Sequence, residues 1–117
     1  MRLLTKDEQD LIRFMLTNNG TQKKFIDELP NLMVEEMNDG GMGSLRFLSK
    51  KEGRRVFKNE ISIMHYRDTD GVSVRFALNL DQDDEVYELD VFKGDFSAMK
   101  KFPVAPYPSL ELGALGI

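Results

Sequence analysis

The sequence predicts an α+β domain, in which an N-terminal helix or pair of helices packs on an antiparallel meander of about five strands. Three observations carry that reading. Between Thr5 and Leu29 the apolar residues recur at helical spacing, from Leu32 onward they alternate at a period near two, and turn clusters rich in Asp and Gly separate the alternating runs. The chain has 117 residues, 41% of them hydrophobic and 31% charged, which suffices for one sizeable core. It is read as a single domain over 1–117, with a core over 4–103 and an irregular C-terminal tail over 104–117.

The first helix is predicted to begin at Lys6. Thr5 and Glu8 have capping-box spacing, Asp7, Glu8 and Asp10 suit the positive end of the helix dipole, and Leu11, Ile12, Met15 and Leu16 form one apolar stripe. Asn18-Asn19-Gly20 is the expected stop, with Gly20 as a left-handed cap. A short second helix is expected over Gln22 to Leu29, closed by Pro30.

The strands follow. Leu32, Val34 and Glu36 alternate with Met33, Glu35 and Met37 up to the turn Asn38-Asp39-Gly40-Gly41, and a partner strand runs through Leu45 and Phe47. After a polar, basic connection from Ser49 to Arg55, Val56 to Tyr66 reads as a strand. It is expected to be apolar at Phe57, Ile61 and Ile63 on one face, with Met64 and Tyr66 on the other. Asp68-Thr69-Asp70-Gly71 is a turn, and Val72, Val74, Phe76, Leu78 and Leu80 form the clearest core face of the chain. Past the turn Asp81–Asp84, Tyr87, Leu89 and Val91 continue that face, while Glu88 and Asp90 point away, within reach of Arg75. Asp95-Phe96-Ser97 is expected to open one more helical turn before Pro103, Pro106 and Pro108 forbid regular structure. The apolar tail from Leu110 is expected along the domain edge or loose, or else docked on a second subunit.

Composition narrows the chemistry. With no cysteine there are no disulfides, thiolate zinc sites or cysteine nucleophiles, in agreement with a reducing compartment. The N-terminus turns charged too soon for a signal peptide and no apolar run reaches membrane-span length, so a soluble, cytoplasmic protein is expected. A net charge of -4 disfavours direct nucleic-acid binding. His65, the single histidine, lies in a strand where a structural imidazole is the simpler reading, and no serine lies on a nucleophile elbow. No cofactor, metal site or catalytic constellation is indicated, and the balance leans away from an enzyme.

Charge patterning says more. Arg46, Lys50, Lys51, Arg54, Arg55 and Lys58 against Glu52 give the stretch 46–58 about +5, while Asp81, Asp83, Asp84, Glu85, Glu88, Asp90 and Asp95 against Lys93 give 81–95 about -6. Such a charge dipole favours steered recognition of a charged partner, or self-association of acid against base. The candidate partner-binding residues are therefore Asp81, Asp83, Asp84, Glu85, Glu88 and Asp90. A second candidate is the loop Asp39, Gly40, Gly41, Met42, Gly43 and Ser44, whose glycines permit close backbone approach; a phosphate cradle would want a helix after it, so turn geometry explains it better.

Asp39-Gly40-Gly41-Met42-Gly43-Ser44-Leu45, Asp70-Gly71-Val72, Leu78-Asn79, Glu88-Leu89-Asp90-Val91-Phe92-Lys93 and Asp95-Phe96-Ser97 together resemble a family of small, uncharacterised bacterial domains, over Leu4 to Pro103. In that family the Phe92 position is commonly Trp. The resemblance implies a stand-alone bacterial cytoplasmic domain and transfers no catalytic residue. Three functions remain open. The favoured one is a non-enzymatic protein-binding module, of the type of an immunity protein whose acidic surface masks a basic toxin. The second is a small hydrolase or phosphate-ligand enzyme with a divalent ion between Asp68, Asp70 and the turn 81–85. The third is a homo-oligomeric subunit such as a homodimer.

Overall fold

Helix α1 (Lys6–Met15) starts where its capping box places it: the Glu8 amide donates to the Thr5 hydroxyl at 3.1 Å and the Thr5 amide to the Glu8 carboxylate at 2.8 Å. Arg2 closes a bidentate pair on the same carboxylate at 2.7 and 2.8 Å, so the cap also ties down the N-terminus. The computed structural model describes residues 1–17 and 22–112, so the expected stop at Asn18-Asn19-Gly20 lies outside the described residues. The second helix, α2 (Lys23–Glu28), ends in a 3-10 turn over Leu29–Asn31 that admits Pro30. Among the described residues no helix is long and apolar enough to cross a membrane.

The strands are β1 (Arg2–Leu3), β2 (Met33–Glu36), β3 (Leu45–Phe47), β4 (Phe57–Arg67), β5 (Ser73–Asp81), β6 (Val86–Lys93) and β7 (Leu110–Leu112). They form one antiparallel sheet in the order β1-β2-β3-β6-β5-β4-β7. The α+β class and the antiparallel sheet under N-terminal helices are as the periodicity predicts. The long strands follow the expected runs, but β3 pairs with β6 instead of β4, with Arg46 opposite Glu88. The connection after β3 therefore crosses the end of the β5–β6 hairpin before β4 begins on the far side of β5. The tail expected to be irregular contributes β7 to one sheet edge, and β1, for which the periodicity gives no signal, forms the other.

One face is the core. Leu11, Ile12, Met15 and Leu16 of α1 pack with Val34, Phe47, Met64, Val74, Phe76, Leu78, Leu89 and Val91. Phe25 of α2 meets Phe47 edge-on at 5.2 Å, and Phe102 meets Phe76 at 6.0 Å, so the segment after β6 covers the same face. Two departures from strict alternation correct the predicted faces. Register shifts in β4 between Phe57 and Asn59 and between Glu60 and Ser62 put Ile61 and Met64 in the core, with Tyr66 packed against it, while Phe57 is exposed. A shift opposite Asn79 and Leu80 puts Val86 in the core where Tyr87 was expected. Among the described residues no helix lies on the other sheet face.

Candidate functional site

The acidic and basic runs meet inside the molecule. Because β3 pairs with β6, the basic connection lies over the β5–β6 turn, and the fully buried carboxylate of Asp81 binds Lys51 at 2.5 Å and Arg55 at 2.7 Å. It also accepts from the amides of Asp83 and Glu85, and these donors outweigh the cost of burial to hold its carboxyl well below the ordinary range. Lys51 further reaches Asp83 at 2.8 Å and Glu85 at 3.3 Å, Lys58 reaches Asp84 at 2.6 Å, and Arg46 reaches Glu88 at 2.6 Å. Arg55 donates to the Phe47 and Val86 carbonyls and lies 4.8 Å from the Tyr87 ring centroid. The predicted dipole of two opposed patches is thus largely cancelled. Of the predicted acids, Asp90 alone has a carboxylate without a hydrogen bond or ion pair among the described residues.

The glycine loop and the strings after it form a second network at the other end of the strands. Asp39 accepts from the Met42 and Ser44 amides at 3.1 and 2.9 Å; burial pushes its carboxyl up, but these amides hold it below the ordinary range. Ser44 Oγ exchanges hydrogen bonds with the Val91 amide and carbonyl, stitching the loop to β6. Gly41 has φ +85, and a Cβ there would lie 3.1 Å from Ala98 Cβ, so the loop closes against the segment after β6. The Asp39 and Ser44 hydrogen bonds and the approach of Gly41 to Ala98 are those of a turn closed on its own strand.

Lys93 completes that network. Its fully buried ammonium donates to Asp68 at 2.9 Å, Asp70 at 2.6 Å and the Ala98 carbonyl at 3.1 Å. Burial pushes its pKa down, and the two carboxylates more than reverse this. Asp68 also accepts from the amides of Thr69, Lys100 and Lys101, which together with Lys93 override its desolvation and hold it well below the ordinary range. The carboxylates weighed as a divalent-ion site thus hold an ammonium here, and among the described residues no group of acidic or histidine side chains is placed to hold a metal ion. Sequence reasoning missed Lys93. Its period-two parity with Leu89 and Val91 was the available signal, since a lysine on a core face must find carboxylates.

The helix-free face carries what remains. The predicted helical turn at 95–97 does not form: Ser97 donates to Asp95 Oδ1 from its amide at 3.0 Å and its hydroxyl at 2.6 Å, and Phe96 takes φ +64. Phe96 is 67% exposed and stands edge-on to Phe92, 44% exposed, at 5.2 Å. Along the same face Arg75 binds Glu60 in a bidentate pair at 2.7 and 3.0 Å, in place of the expected Glu88 or Asp90. Asp90 reaches solvent amid this crowd, and its carboxyl is raised first by desolvation and then by Glu88 and Glu60. His65 is exposed on this face opposite Arg75. A separate cleft of about 740 Å³ between α2 and the basic connection is lined by Gln22, Phe25, Lys51, Arg55 and Glu85, but Lys51 and Arg55 are committed to Asp81 and Gln22 donates to the Asp84 carbonyl.

The family described as a domain of unknown function (DUF6984) matches residues 1–103. No curated protein and no solved structure matches the chain.

Proposed function

We propose that this chain, which belongs to the DUF6984 family, is a non-enzymatic protein-binding domain that docks a partner on the helix-free face of its sheet. The observation that carries the reading is the conformation of Phe96. A phenylalanine in the left-handed region costs on the order of 1 kcal/mol, and this one buries little of its ring in return. Strain and exposed aromatic surface on a rigidly anchored turn are what a preorganised contact residue requires. The anchor is the Lys93, Asp68 and Asp70 network directly beneath.

The acidic hairpin supports this role less well, because Asp81, Asp83, Asp84 and Glu85 are engaged by Lys51, Arg55 and Lys58. An inhibitor of a basic toxin, the immunity-type role, needs uncompensated acid, and Asp90 is the carboxylate that supplies it. The absence of cysteine supports a cytoplasmic setting.

The test is affinity capture from cells of the source organism with the wild type beside Phe92→Ala/Phe96→Ala, both verified as folded by circular dichroism and read by quantitative mass spectrometry. The expected result is a protein enriched by the wild type and lost by the double variant. Equal enrichment by both, or enrichment of nothing, contradicts the reading.

A further inference from the structure

The stretch that ends in β7 is held differently from what precedes it. Through residue 103 the chain is pinned to the fold. Asp68 accepts from the Lys100 and Lys101 amides at 2.7 and 3.0 Å, and the Tyr66 hydroxyl donates to the Lys101 carbonyl at 3.0 Å. Phe102 meets Phe76 edge-on, Pro103 is buried, and the family match ends at the same residue. Val104, Ala105 and Pro106 are then exposed and make no hydrogen bond among the described residues. Contact resumes at Tyr107, whose ring lies 4.7 Å from that of Phe14 in α1. Leu110 packs against the core, and β7 pairs with the outer edge of β4 at Ser62, Ile63 and Met64. A pin, an exposed hinge over 104–106 and a docked strap over 107–112 thus follow one another.

The strap is lightly held for a member of the sheet. Its strand is short, and Pro106 and Pro108 bring no amide donor to it. Elements with few buried contacts open at a lower cost than the whole fold does. When the strap leaves, the outer edge of β4 is bare, because β7 is the described strand that covers it, and a bare edge is a template for another strand. We infer that this edge, together with Phe14 of α1, is an exchange site whose second occupant is the strap of another copy of this chain. Fit decides the occupant. Residues 107–112 already match the site, so the same residues of a second copy keep every contact of the closed form, and the two forms differ only in the path of 104–106. A hinge this short invites such an exchange. The product is a dimer with reciprocal straps that carries two helix-free faces, and the exchange does not depend on what those faces bind.

The absence of cysteine makes the test direct. Ile63 and Glu111 stand opposite one another in the β4–β7 pair, where a disulfide can span the two strands. The full chain carrying Ile63→Cys with Glu111→Cys is equilibrated reduced over a range of concentrations, oxidised, denatured, and separated without reductant, and each linkage is mapped by mass spectrometry. The expected result is a bond between positions 63 and 111 that lies within one chain in dilute protein and between two chains in concentrated protein. While dimer is the minor form, its ratio to monomer should rise about tenfold for a tenfold rise in monomer, as mass action requires. A bond confined to one chain at every concentration, or dimers linked only 63 to 63 or 111 to 111, overturns the inference. Light scattering of the wild type gives a readout free of cysteine: a dimer is expected at high concentration and is lost in Tyr107→Ala/Leu110→Ala. A wild type that stays monomeric throughout, or a dimer undiminished in that variant, equally overturns it.

Discussion

The β5–β6 hairpin and the open centre of the sheet are both acidic in sequence, and they are opposites in space. At the hairpin, Asp81 is buried under Lys51 and Arg55 while Asp83, Asp84 and Glu85 lean on lysines from the crossing connection. At the sheet centre, Asp90 is left between completed ion pairs beside an unpartnered Asn79 and an exposed Phe92. The difference teaches that a charge run has no fixed meaning until topology says what lies across from it. Here the pairing of β3 with β6 neutralises one acidic stretch and leaves the end of the other unpartnered.

The largest expected effect lies under both regions, on the covered face. Phe76 is fully buried against Tyr66 and Phe102, so Phe76→Ala is expected to cost about 3 to 5 kcal/mol in urea unfolding; a loss below about 1 kcal/mol would mean that the core is elsewhere. Next comes the Lys93 network, which anchors the aromatic turn. Asp68→Asn leaves a buried ammonium short of one carboxylate and is expected to cost about 3 kcal/mol. That loss has a definite pH dependence. Asp68 and Asp81 are held below the ordinary carboxylate range, so what they contribute is complete above the unfolded-state value of about 4 and is lost as pH falls through and below it. The gap between wild type and Asp68→Asn should therefore be full at neutral pH and narrow in acid; a gap that widens in acid would contradict the assignment.

The smallest effect is expected at the hairpin surface. Asp83→Lys with Asp84→Lys breaks exposed pairs to Lys51 and Lys58 and should change stability by no more than about 1 kcal/mol, with partner capture retained. Loss of capture in this variant, with capture intact in Phe92→Ala/Phe96→Ala, would reverse the roles of the two regions.

Much of the fold was legible because its signals are local. The Thr5 and Glu8 capping box, the α1 stripe and the alternation from Val74 to Leu80 each operate within one element, and each appears where spacing puts it. What was not legible depends on pairs distant in the chain or on one extra residue. The β4 shifts around Phe57 and Ile61 reverse the faces without changing composition, and the β3–β6 pairing is set by packing and by Arg55 reaching Asp81, Phe47 and Val86 together. The site was half legible. Asp90 stands among the acids of the run, but a count of charges cannot separate it from Asp81, and the cap-like Asp95 and Ser97 predict a helical turn at Phe96. Their side chains bond to each other instead, and that local loop turns Phe96 outward.

If the open face keeps Phe96 and Asp90 for binding and at a cost in stability, the most direct test is the urea unfolding free energy of Phe96→Asn combined with Asp90→Asn at neutral pH. Asn accepts the left-handed conformation that strains phenylalanine, and it removes the repelled charge at position 90 while keeping its shape. The predicted result is a variant at least as stable as the wild type. A loss of more than about 1 kcal/mol would show that these residues hold the fold together, and would contradict their assignment to binding.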